Sequence, residues 1–303
     1  MDEMFAGPPV ESLDDLRHYT GLAAAERIVG ERRRAAYIVN YNQLDVNYSG
    51  TVDFQLRREL VLLCPQTADF LYRSYTPERT SYVAGSRPGL ECVVGRATSQ
   101  AESPADKALA LMRFCRDVHR EAGREPSHDD YIYGGTEEEL IAKGEWLCEG
   151  LSRLYVPLCE VAGIPGRILY HVIGGHVTAE VFVGEWAYVD PRMGVYFRKA
   201  DGGFASAWDL MNDPSIMANQ PDDVKRDVSY QATWDERAAR CRELFFDSRE
   251  VNGFINYSLS DSPRYDYTQT TSEQASEAGL WTINKEYRAL IEAVFGVEVT
   301  GFG

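Results

Sequence analysis

The sequence predicts a chain of mixed helix and strand whose central third runs from helices into strands. Three observations carry this. Apolar residues recur at helical spacing over 104–121 and again over 147–162. Three β-branched and aromatic runs follow, at 167–172, 177–183 and 186–189. Gly184 stands between the last two and suits the turn of a hairpin.

Residues 1–20 are an acidic lead, and 24–36 read as a helix. From 37 to 97 the pattern is irregular and rich in Tyr, Val and Thr between turn signals, which predicts short strands. A polar break at 99–104 ends in Ser103-Pro104-Ala105-Asp106. Ser caps a helix, Pro suits its first position, and Asp106 stands where a capping carboxylate belongs. Leu109, Met112, Cys115 and Val118 then form one stripe, and Gly123 marks the stop. Glu137, Glu138 and Glu139 load the first turn of a short helix after Thr136. In 147–162, Leu151, Leu154, Tyr155, Leu158 and Val161 share a face, with Pro157 inside, Gly163 past the end and Pro165 barring resumption. The tail predicts helices at 232–245 and 284–295 and a surface loop at 255–275. The organisation expected is an N-terminal extension with short strands (1–100), a core (101–200) and a C-terminal extension packed on it (201–303).

The net charge of −16 over 303 residues opposes binding to nucleic acid or anionic membranes. Arg32-Arg33-Arg34 reads as a solvated helix face. No signal peptide is expected, and the longest apolar run near the start, Leu60 to Cys64, falls far short of the roughly 20 residues that span a bilayer. Six cysteines stand at 64, 92, 115, 148, 159 and 241, with no CxxC pair. They read as reduced thiols in a cytoplasmic protein, with no metal site and no cofactor expected.

Cys148, His176 and Asp190 have the order of a thiol-enzyme triad, 28 and then 14 residues apart. A thiol attacks a carbonyl as the thiolate, an imidazole takes its proton, and a carboxylate orients the imidazole. Cys148 stands at a helix start, where unpaired N–H groups favour a thiolate and can hold an oxyanion. His171 is the rival imidazole, mid-strand and expected in the core or at its rim. His18, His119 and His128 read as surface residues. Glu180 shares the His176 parity and is the rival orienter. Glu149 is expected to point outward.

These residues carry a resemblance to the transglutaminase-like superfamily, a papain-like group of thiol enzymes. The matching pieces are the helix at 104–121, Gly144 followed by Cys148-Glu149-Gly150, Ala162-Gly163-Ile164-Pro165-Gly166-Arg167, Gly175-His176 and Trp186-Ala187-Tyr188-Val189-Asp190-Pro191. They cover 104–197. Trp146 stands where the family often has Gly, and Val177-Thr178 where it often has Ala-Trp. No acidic cluster like a calcium loop is present. The resemblance implies an α+β core in which the Cys148 helix packs on an antiparallel sheet bearing His176 and Asp190. The extra segments would then cover the other face, toward which Val177, Ala179, Val181 and Val183 alternate. It further implies attack on an amide carbonyl, with the acyl-enzyme passing to water (a peptidase or amidase) or to an amine (an amide-forming transferase). Substrates would be peptide or small-molecule amides and amines, with Trp146, Gly175, Glu180 and Trp186 as pocket candidates. A catalytically inactive binding module is the alternative.

The hairpin makes a sharper demand. An unbulged two-residue loop pairs Val183 with Trp186 and sends His176 and Asp190 to opposite faces. A three-residue loop at 183–185 pairs Phe182 with Trp186 and makes them diagonal neighbours on one face. An odd-length loop is therefore predicted, although two-residue loops are commoner.

Overall fold

The computed structural model describes residues 9–19, 52, 55–56, 59–75, 79–123, 132–171, 176–228, 232–247 and 252–271. The helices predicted at 24–36 and 284–295, and Gly175, lie outside them.

The described residues of the stretch expected to hold short strands are mainly helical. It contributes one two-residue strand, β1 (Val61–Leu62), and two helices, α1 (Pro65–Arg73) and α2 (Pro88–Ala97). Pro65 and Pro88 sit at the first helical position, where a missing N–H costs nothing. Thr67 Oγ1 accepts the Cys64 N–H at 2.9 Å and closes the first turn of α1.

Helix α3 (Pro104–Glu121) begins in the reciprocal cap expected of it: Ser103 Oγ accepts the Asp106 N–H at 3.1 Å, and Asp106 Oδ2 accepts the Ser103 N–H at 3.1 Å. Leu109, Met112, Cys115 and Val118 are all buried. Helix α4 (Glu137–Lys143) starts at Thr136 and ends on Gly144 at φ 73°. Helix α5 (Cys148–Val161) is the axis of the molecule, buried on every side from Gly150 to Glu160. It ends as a Schellman motif, with Gly163 N–H on Glu160 O (3.0 Å) and Ile164 N–H on Cys159 O (2.8 Å).

The main sheet has six antiparallel strands in the order β1-β7-β3-β4-β5-β6: β3 is Gly166–His171, β4 His176–Phe182, β5 Trp186–Asp190, β6 Val195–Tyr196 and β7 Asn252–Ile255. A second ladder joins β2 (Ile132–Tyr133) to β8 (Thr270–Thr271). Strand β7 comes from the C-terminal third and pairs both β3 and β1, so one sheet draws on all three parts of the chain. The β4–β5 loop has three residues: Phe182 opposes Trp186, Val183 N–H donates to Glu185 O at 3.0 Å, and Gly184 takes φ 99°. His176 and Asp190 therefore share a face, as parity required.

The covering of the faces differs from expectation. Helix α5 lies on the face of Val177, Ala179 and Val181. A Cβ at Gly166 would stand 3.4 Å from Val156 Cγ1 of α5 and 3.3 Å from Val181 Cγ1 of β4. Ser152 Oγ donates to Val177 O at 3.0 Å. The extra segments cover the His176 face instead. Tyr72 of α1, the start of α6 (Ala207–Asn212), and Cys241 of α7 (Trp234–Arg242) with Phe245 just beyond it all pack there. The physical reason lies in the strands. The Val177 face is purely apolar and fits the apolar helix, whereas the other face carries His171, His176, Thr178, Glu180, Arg167 and Asp190. These need the polar partners that loops and helix starts supply.

Candidate active site

The approach to Cys148 is built tightly. Gly144 ends α4 in the left-handed region, and a Cβ there would lie 2.9 Å from Ala122 Cβ and 3.0 Å from His119 Cα. Glu145 is buried and folds back on the chain. Its Oε1 accepts the N–H of Trp146 (2.7 Å) and of Leu147 (2.8 Å), while Lys143 Nζ lies 3.2 Å from Oε2. The carboxylate fills the notch at Gly150, where a Cβ would come within 2.7 Å of Glu145 Cδ. The first backbone bond of α5 runs from Leu151 N–H to Leu147 O at 2.9 Å. The amide of Cys148 precedes it and has no carbonyl within the helix to donate to.

His176 opens β4 and Asp190 closes β5. His176 Nε2 and Asp190 Oδ2 are 2.6 Å apart, with Asp190 fully buried. Asp190 Oδ1 accepts the N–H of Arg192 (3.0 Å) and Met193 (2.9 Å), which fixes the carboxylate. The Cys148 thiol lies near enough to the same imidazole and to the Val177 backbone for both to act on it electrostatically. With Nε2 committed to Asp190, Nδ1 is the ring nitrogen left for the thiol.

Electrostatics follow the geometry. Burial alone would push the Cys148 thiol up. The charge and hydrogen bond of His176, helped by Arg192, bring it below the usual thiol value. Burial works against a charged His176, yet Asp190 and Cys148 hold its pKa up at about 9. Asp190 is buried too, but the imidazolium keeps its carboxyl below the usual range. The arrangement favours thiolate, imidazolium and carboxylate together. Among the other cysteines, burial pushes Cys64, Cys115, Cys159 and Cys241 upward, and Cys92 is exposed.

The structure thus brings Cys148, His176 and Asp190 together. It places two pocket candidates elsewhere. Glu180 and Trp186 lie toward the other end of the sheet, around the Arg167 guanidinium: Glu180 Oε2 is 2.6 Å from its Nη2, and the Trp186 ring is 4.0 Å from its Cζ. Parity put Glu180 on the right face, but two strand positions further along a buried cation claims it. His171 is core, with its ring 4.9 Å from Phe245 and 6.1 Å from His176. His119, expected at the surface, is buried. Glu149 is half-buried rather than outward and accepts from Tyr170 Oη at 3.3 Å. Trp146 stands two residues before Cys148 in the chain, and Arg192 Cζ lies 5.2 Å from its ring centre. Arg192 and Glu145 were missed. For Glu145 the available signal was a carboxylate five residues before Gly150.

Residues 92–191, a third of the chain, match the family model of the transglutaminase-like superfamily. This part of the chain is similar to a transglutaminase-like core. Members of the superfamily are usually Cys-His-Asp thiol enzymes, and the match begins within α2 and ends one residue past Asp190. No curated protein and no solved structure matches the chain. Among the described residues no helix is long and apolar enough to cross a membrane. No group of three or more His, Cys, Asp or Glu there is arranged to hold a metal ion.

Proposed function

We propose that the protein is a thiol enzyme acting at amide bonds through Cys148, His176 and Asp190. The observation that carries this is one imidazole that meets a buried carboxylate at 2.6 Å and acts electrostatically on a thiol at the start of a buried helix. Cys148 Sγ attacks the carbonyl carbon of a peptide or small-molecule amide. The oxyanion forms beside the Cys148 amide, an orphan donor of α5 with the positive end of the helix dipole behind it. His176, charged at the outset, gives its proton to the departing amine, leaving a thioester on Cys148. Water or an amine then attacks the thioester as His176 takes up a proton. Asp190 holds the ring in place and favours its charged form.

Limiting iodoacetamide near pH 6 with peptide mapping tests the reading. Cys148 should be labelled ahead of the other five cysteines, the exposed Cys92 included. Faster labelling of Cys92 overturns it. Acid-quenched intact mass after incubation with amide substrates should show an acyl adduct that is lost in Cys148→Ala.

A further inference from the structure

Arg192 stands two residues past Asp190, and its backbone N–H is held by the Asp190 carboxylate at 3.0 Å. Its guanidinium reaches to the other half of the site, 5.2 Å from the ring centre of Trp146, two residues before Cys148. It therefore spans from the carboxylate side to the nucleophile side. Its charge acts on both the Cys148 thiolate and Asp190.

Among the described residues this guanidinium meets no carboxylate within ion-pair distance, in a chain with 47 acidic residues against 31 basic ones. Several other arginines are paired with carboxylates. Arg87 holds Glu137 and Glu138, Arg113 holds Asp227, and Arg116 holds Asp117. A guanidinium beside reactive groups with no acidic partner has its fork open to an incoming one. Stacking on an aromatic face fixes the plane of the group and leaves its N–H edge to meet a planar, bidentate acceptor.

We propose that Arg192, held against Trp146, binds a carboxylate of the acyl donor, so that the substrate is an amide whose acyl part carries a carboxylate close to the reacting carbonyl. This rests on the thiol-enzyme reading above and narrows it to a substrate class. A charge-assisted pair of this kind is strong when partly desolvated, and the remaining hydrogen-bond capacity of a carboxylate can be met by water.

Iodoacetate and iodoacetamide provide the test. They share one reacting carbon and consume the same thiolate, so their rate ratio at Cys148 cancels any change in thiol pKa. In the full-length protein the iodoacetate-to-iodoacetamide ratio should be higher at Cys148 than at Cys92. It should fall roughly tenfold in Arg192→Gln, as expected for a lost charged hydrogen bond, and only partly in Arg192→Lys. A ratio no higher than that at Cys92 overturns the proposal. So does a preference that survives in Arg192→Gln, which would belong to the His176 imidazolium. If Cys148 reacts with neither reagent, the thiol-enzyme reading itself fails and this inference falls with it. Normal iodoacetamide labelling without carboxylate preference removes only the inference.

Discussion

One face of the central sheet carries two cation–carboxylate pairs, and they are put to opposite uses. At one end, His176 and Asp190 lie 2.6 Å apart beside the Cys148 thiol. Toward the other, Arg167 and Glu180 pair at 2.6 Å with both side chains fully buried. The second pair is sealed. The Arg167 Cζ lies 4.7 Å from Tyr72, 4.0 Å from Trp186 and 4.1 Å from Phe254. Glu180 also accepts from Tyr72 Oη (2.9 Å) and from the Ala207 N–H that opens α6 (2.6 Å). That node clamps α1, α6, β7 and the core strands together, so it joins all three parts of the chain.

A structural pair differs from a reactive one in its cation and in the room around it. A guanidinium has no proton to give at ordinary pH, and a node walled by aromatic rings leaves no room for substrate. An imidazole can give and take a proton, and this one acts on a thiol at a helix start. The same sheet face thus supplies a rigid clamp, and some four residues along the strand, proton chemistry held in place by it.

The strongest way to break the comparison is Cys148→Ala. Activity should vanish while the urea midpoint stays near wild type, because the change is small and the thiol is only partly buried. A large loss of stability would make Cys148 a packing residue like Cys159.

Asp190→Asn should lower the rate by roughly 10²–10⁴-fold, the usual range for proton-transfer machinery. It should also reshape the pH profile. In the wild type the rate should fall as pH rises through about 9, where His176 loses its proton. Without the Asp190 charge that limb should move to lower pH. An unshifted limb would reassign it. The same pair bears on stability. Because the folded His176 is raised above a free imidazole of about 6.5, its contribution is complete below that value. It is lost as pH climbs through about 9.

At the sealed end, Glu180→Ala should cost about 3–5 kcal/mol in urea unfolding, since it strands a buried guanidinium. The fraction that remains folded should still label at Cys148. A cost below about 1 kcal/mol would show the node to be dispensable.

The smallest effect sharpens the site end. Gly150→Ala would gain up to about 1 kcal/mol in an ordinary helix. Here the new Cβ would meet Glu145 Cδ at 2.7 Å and displace the carboxylate that holds the Trp146 and Leu147 amides. Cys148 alkylation at pH 6 should slow several-fold, and an unchanged rate would remove Glu145 from the support of the nucleophile.

Sequence by itself determined what local chemistry controls. The Ser103 and Thr136 caps, the Gly163 stop, the three strands, the odd-length loop at Gly184 and the Cys148–His176–Asp190 set were all legible, because caps, φ preferences and strand parity act over a few residues. The tertiary structure alone decided the rest. Nothing near Glu180 says that Arg167, thirteen residues away on the neighbouring strand, will claim it. Nothing near 252–255 says that these residues will slot between β1 and β3. Pro65 and Pro88 are equally good turn and helix signals until Phe70, Leu71, Leu90 and Val94 find a core to bury in. Which sheet face receives α5 depends on matching an apolar helix to an apolar strand face and finding polar partners for the other. Burial and pairing are settled between segments distant in sequence, where one-dimensional spacing carries no information.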